Sequence, residues 1–127
     1  MEININLFIF NLWIANLQFY FQNLEEDEIR WYNKGGGTFL PIISQFYGII
    51  IIMHYKENER HKLPHLHAEY GEFDAVFDLN GNQLNGNFPI KQRKMVEVWI
   101  LIHQDELITL WDLIKQGKEI FKINPLK

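Results

Sequence analysis

Phe46-Tyr47-Gly48-Ile49-Ile50-Ile51-Ile52-Met53 is an uncharged run dominated by β-branched side chains. It is too short for a buried helix and lacks the polar alternation of a half-exposed strand, so it reads as a strand covered on both faces. A chain carrying it must place structure on each side of a sheet. With 127 residues there is room for one domain with such a core. Cysteine is absent, which excludes disulfide scaffolds, thiolate metal sites and cysteine nucleophiles, and suits a reducing cytoplasm. The formal charge of −4 argues against a broad polyanion-binding surface and leaves room only for a local basic patch.

Downstream of that run the pattern stays regular. Residues 56–64 form a polar loop closed by Pro64, which biases Leu63 to an extended conformation. His65-Leu66-His67-Ala68-Glu69-Tyr70 alternates, as does the stretch from Phe73 to Leu79 with one exception, and Gly71 joins the two as a tight hairpin. Asn80-Gly81 is a second hairpin signal, leading into a short strand around 83–85. After Pro89 the period changes. Met95, Val96, Trp99, Ile100 and Ile102 predict the inner face of a helix over 90–103, and Leu107, Ile108, Leu110, Trp111 and Ile114 that of a second over 105–116. Asp105 and Glu106 suit the first turn of the second helix, Lys115 its last, and Gly117 its stop. The tail 119–123 reads as an edge strand ended by Pro125. The expected fold is α+β, an antiparallel β-meander of three to five strands followed by two helices packed on one sheet face.

Residues 1–39 differ in kind. They hold six asparagines and aromatic side chains from Phe8 to Phe39 with no clean period, and none of the five histidines. A spanning segment over 3–24 is not expected, because Asn4, Asn6, Asn11, Asn16, Gln18, Gln22 and Asn23 would each need a partner inside lipid. The residue types have AT-rich codons, and Lys34-Gly35-Gly36-Gly37 suits an A/G-rich ribosome-binding stretch just before a start at Leu40. The expectation is a single α+β domain over 40–127, with 1–39 an N-terminal extension arising from a misplaced start; the competing reading is an ordinary extension with a helix over 5–32. Gly35-Gly36-Gly37 is expected to follow no strand and open no helix, so it reads as a spacer or an untranslated scar and not as a phosphate loop.

Pro41 to Ile49, then Pro64-His65-Leu66-His67-Ala68-Glu69-Tyr70-Gly71-Glu72, then Trp99 and the closing Ile123-Asn124-Pro125-Leu126, resemble the small bacterial family known as domain of unknown function 4160. The resemblance covers residues 40–127, and the P-H-x-H-A-x-Y-G-E string is its most specific part. Family members typically open with Met-Pro where this chain has Leu40-Pro41; the charged loop before Pro64 is longer here than the family's. The resemblance implies a component of a two-gene module of toxin–antitoxin type, with a small cognate protein encoded nearby as partner, and it brings no settled reaction.

Alternation gives the chemistry. His65, His67 and Glu69 share one face of their strand and Leu66, Ala68 and Tyr70 the other; Glu72, Asp74 and Asp78 join the first set from the next strand. Three readings follow. His65 and His67 are the candidate catalytic residues, as general acid and base on RNA, with Arg93, Lys91 or Lys94 supplying a cation to phosphate. Alternatively His65, His67 and Glu69, with Asp74 or His54, ligate a metal, although H-x-H alone supplies only two ligands. In the third the face is a solvated, non-enzymatic partner-binding surface. Glu69, Tyr70, Glu72 and Arg93 are the candidate binding residues. No cofactor and no membrane contact is expected.

Overall fold

Ile49, Ile50, Ile51 and Ile52 form strand β3 (Ile49–Ile52), and its two faces enter two different apolar clusters. Ile49 and Ile51 face the helices, while Ile52, only 1% exposed, packs with Leu40, Ile42 and half-buried Tyr32 and Ile50 on the opposite side. The computed structural model describes residues 29–55 and 63–127. Around β3 it has β1 (Arg30–Gly35), β2 (Thr38–Phe46), β4 (His65–Tyr70), β5 (Phe73–Asp78) and β6 (Gln83–Asn87). Helices α1 (Ile90–Ile102) and α2 (Gln104–Lys115) follow. The six strands form one antiparallel sheet in the order β1 to β6, a plain meander, and both helices pack on one face.

The fold class is thus the expected α+β meander with two helices, carrying six strands in place of three to five. The difference arises upstream of β3. The apolar run is not one strand: Tyr47 and Gly48 both have positive φ, 47° and 78°, and turn the chain between Phe46 and Ile49. That is the handedness a two-residue hairpin needs. Gly36-Gly37 is a second turn, between β1 and β2, so the glycine run joins two strands where none was expected before it; Gly35, Gly36 and Gly37 all have positive φ. The sheet therefore reaches ahead of the boundary expected at residue 40. Of the alternative helix over 5–32, residues 30–32 lie in β1 and Ile29 is not helical; residues 5–28, with that part of the extension expected over 1–39 and residues 56–62 of the polar loop expected over 56–64, lie outside the described residues.

The β5–β6 hairpin is held by Asp78, whose carboxylate accepts hydrogen bonds from the Asn80 and Asn82 amides and from Asn82 Nδ2 at 2.9–3.0 Å. Gly86 then marks a bulge region at φ 91°, where a Cβ would come within 2.7 Å of Ala75 Cα and closer still to the Asp74 carbonyl oxygen.

Val96, Trp99 and Ile100 of α1, and Leu107, Leu110 and Trp111 of α2, are buried as the periodicity predicts. Ile102 and Ile108, expected inward, are instead exposed at 61% and 48%. At 100° per residue Ile102 lies well off the Val96–Trp99–Ile100 stripe, and Ile108 lies off the Leu107–Leu110–Trp111 stripe. His103 ends one helix and starts the other: its N–H donates to the Trp99 carbonyl, its own carbonyl accepts from Leu107, and its Nδ1 lies 2.7 Å from Glu106. At the far end the Gly117 and Lys118 amides donate to the Ile114 and Leu113 carbonyls, the paired bonds of a glycine helix stop. The tail forms no strand. It crosses back to the sheet, where the Ile123 N–H donates to the Ile43 carbonyl and Trp99 Nε1 donates to the Asn124 carbonyl, both at 2.8 Å. No helix among the described residues is long and apolar enough to cross a membrane.

Two outcomes follow from the turns. Gly86→Ala should destabilise the protein by about 2 kcal/mol or more, since strain and a backbone clash add, whereas Gly71→Ala, with positive φ but open space, should cost about 1 kcal/mol; equal losses on urea unfolding would contradict this. Burial pushes the Asp78 carboxyl up, but the hydrogen bonds from Asn82, Asn80 and Gly81 outweigh it and hold the group below its ordinary value. A depressed folded-state value means stability present above the unfolded-state value and lost as pH falls through the folded one. Asp78→Asn should therefore lower Tm at pH 7, and the gap to wild type should close in strong acid.

Candidate histidine site at one end of the sheet

Pro64 delivers the chain extended into β4, so His65 and His67 project from the same side of the strand. β3 runs antiparallel to it with Ile52 opposite His67, and continuing that alternation two residues past Ile52 brings in His54. The rings of His54 and His67 stack at 4.7 Å with an interplanar angle of 18°. His65 meets His67 edge-on at 5.3 Å and Trp111 of α2 at 5.2 Å, and Tyr55 touches the same Trp111 edge-on at 5.7 Å. Four rings thus run in sequence from His54 through His67 and His65 to Trp111.

This corrects one feature of the expected polar face. His65 is buried, 5% exposed, against an indole from the helix layer and not held apart from it. It occupies the first rung of β4, where Trp111 closes the end of the sheet. Its Nδ1 lies 2.8 Å from the Leu63 carbonyl. A carbonyl only accepts, so Nδ1 carries the hydrogen and the neutral ring keeps its lone pair on Nε2.

Further along the open face Glu69 sits opposite Asp74 of β5 and Ile50 of β3. Burial raises the Glu69 carboxyl above its ordinary range and the Asp74 charge raises it further, while Lys34 of β1 pulls the other way. Two carboxylates in direct cross-strand register repel each other unless a cation is shared.

The other candidate binding residues lie elsewhere. Tyr70 faces the helices, its ring 6.3 Å from Phe88 and lying over Gly48 of the β2–β3 turn. Glu72 is exposed at the β4–β5 turn, about 20 Å along the strand direction from His65. Arg93 is on α1, its Nε 3.5 Å from Glu97, on the layer opposite His67. The structure brings His65, His67 and Glu69 onto one face of β4 and leaves Tyr70, Glu72 and Arg93 apart from them. Among the described residues no three His, Asp or Glu side chains are grouped to share a metal ion. For His65, His67 and Glu69 the reason is visible: the two imidazoles meet edge to face, and Glu69 is a further ~7 Å along the strand from His67.

Sequence reasoning named His54 only as an added ligand and missed Trp111 and Lys34 as neighbours. Parity would have placed His54, since Ile50, Ile52 and His54 alternate onto one side. At this end of the sheet His54 and Tyr55 also line a groove of about 500 Å³ whose other walls include Trp31, Pro41, Ile114 and Ile120. Trp31 is 59% exposed there.

No curated protein and no solved structure matches the chain. The family model described as domain of unknown function 4160 matches residues 48–112, from the β2–β3 turn through most of α2, so the segment holding His54, His65, His67 and Trp111 is family sequence and the chain belongs to the domain of unknown function 4160 family.

Proposed function

We propose that this protein is one component of a two-gene bacterial module of toxin–antitoxin type, working in the cytoplasm as a non-enzymatic binding partner. A small protein encoded beside it docks on the histidine end of the sheet, across His67, Glu69 and the groove beside His54. The observation that carries this reading is the groove itself: an exposed Trp31 next to apolar Pro41, Ile114 and Ile120, bordered by the His54 imidazole and by Lys118 and Glu119. A large aromatic anchor in an apolar depression with a polar rim is the composition of an interface hot spot. Glu69 and Asp74 add a place for a partner lysine or arginine, which would relieve their mutual repulsion.

A second reading has one observation in its favour. Anchoring of His65 Nδ1 to Leu63 leaves Nε2 as the basic atom, and a histidine pair in ring contact has the makings of a general acid and base on RNA. Against it, Arg93 is engaged with Glu97 on the other layer, and the carboxylates nearest His67 repel phosphate.

Expression of the full chain without its neighbouring gene separates the two readings. Docking predicts normal growth, and loss of the complex by about tenfold or more in affinity for Trp31→Ala and His67→Ala, measured by titration with the purified neighbour. Growth arrest abolished by His67→Ala would establish the RNA-cleaving reading instead. Glu69→Gln offers a further check. Because its folded-state value is raised, the ionised carboxylate costs stability at neutral pH and ceases to cost it below its unfolded-state value. Glu69→Gln should raise Tm at pH 7, match wild type in acid, and still weaken the complex.

A further inference from the structure

β6 is the outer strand at one edge of the sheet, and Leu84, Asn85, Gly86 and Asn87 are all exposed along it. An edge of this kind presents N–H and C=O groups that another strand can join, and proteins commonly keep it clear with lysine or proline. β1, the opposite edge, carries Arg30 and Lys34. β6 reads Gln-Leu-Asn-Gly-Asn and has neither a charge nor a proline. Gly86, which has no side chain, is its barest point.

We propose that Gln83 and Asn85 close this edge by occupying the backbone of Gly86, and that the strand they keep out is β6 of a second copy. The Gly86 N–H donates to Asn85 Oδ1 at 2.8 Å, and the Gly86 carbonyl accepts from Gln83 Nε2 at 2.9 Å. One side chain thus meets the donor and the other the acceptor. On the inner side β5 is so close that a Cβ on Gly86 would lie 2.7 Å from Ala75 Cα, so the two amides reach Gly86 from the open side. Leu84 adds to the closure. Val76 stands opposite Asn85 and Phe77 opposite Gln83, which leaves Leu84 as an extra residue that bulges the edge. Without the two side-chain bonds, Gly86 is the centre about which β6 pairs with itself. The two copies would exchange N–H and C=O bonds there, with Asn85 of each opposite Asn87 of the other, an isologous contact. No charge on the strand opposes that pairing, and the second strand is present wherever the chain is. The edge shares no residue with the histidine end of the sheet, so the inference is independent of docking there.

The test is sedimentation velocity of the full chain and of a Gln83→Met, Asn85→Ala double variant, from micromolar to millimolar concentration. The expected result is a folded double variant that self-associates as concentration rises, with amide shifts confined to residues 83–88. Replacing Asn85→Ala by Asn85→Lys in that variant should restore wild-type sedimentation, since lysine guards an edge by charge. Should the double variant not fold, the single Asn85→Ala, at an exposed position, carries the test: its Gly86 amide should exchange with solvent about three- to tenfold faster than in wild type. Unchanged exchange at Gly86, a folded double variant that sediments as wild type does, or association mapped outside 83–88 would overturn the proposal. So would a fall in the wild type's own oligomeric state on Asn85→Lys alone, because β6 would then already be paired.

Discussion

Burial of β3 on both faces is the constraint from which the rest of the architecture follows. Each fully buried isoleucine contributes about 1.5–3 kcal/mol relative to exposure, and Ile49, Ile51 and Ile52 are all essentially inaccessible. One face is covered by α1 and α2 through Trp99, Ile100, Leu107 and Leu110. The other is covered differently, by Leu40 and Ile42 from β2 and Tyr32 from β1. The sheet is therefore not a half-exposed slab with one polar side. Its second side is apolar near β1–β3 and becomes polar only from β4 onward, where His67, Glu69 and Asp74 begin.

That gradient gives the candidate site its character. His67 is bonded in register between Ile52 and Val76, so one imidazole marks the border between the apolar and polar halves of the face. His65 continues the row inward to Trp111 and His54 continues it outward to the groove. Charge is segregated in the same way, with the carboxylate pair Glu69 and Asp74 at mid-sheet and the cations Arg30 and Lys122 at the β1–β2 edge.

How much of this was legible in the sequence depended on whether the signal was local. Alternation in His65–Tyr70 and Phe73–Asp78, the Gly71 and Asn80-Gly81 turns and the Gly117 helix stop all act within a few residues, and each is where the pattern puts it. Tyr47-Gly48 was hidden because a tyrosine in the left-handed region looks, from composition, like one more apolar strand residue. β1 went unread because its burial pattern is almost wholly exposed, so it carries no period to detect. The site shows the same division. That His65, His67 and Glu69 share a side follows from parity alone, whereas the burial of His65 under Trp111 and the distance of Arg93 depend on how the helix layer lands, which no local pattern encodes.

The crossing of the tail has a kinetic meaning. Every strand in the sheet pairs with its neighbour in sequence, so apart from the longer connection over 53–64 the meander can assemble from short hairpins with little loop-closure entropy to overcome at each step. The bonds from Ile123 to Ile43 and from Trp99 to Asn124 differ in kind: the first joins segments separated by most of the domain. It can form only after both the sheet edge and the helix layer exist. The tail is then the last part to settle and the first to open, a latch whose release would expose the β2 edge and the buried Ser44 while the hairpins beneath it stay paired.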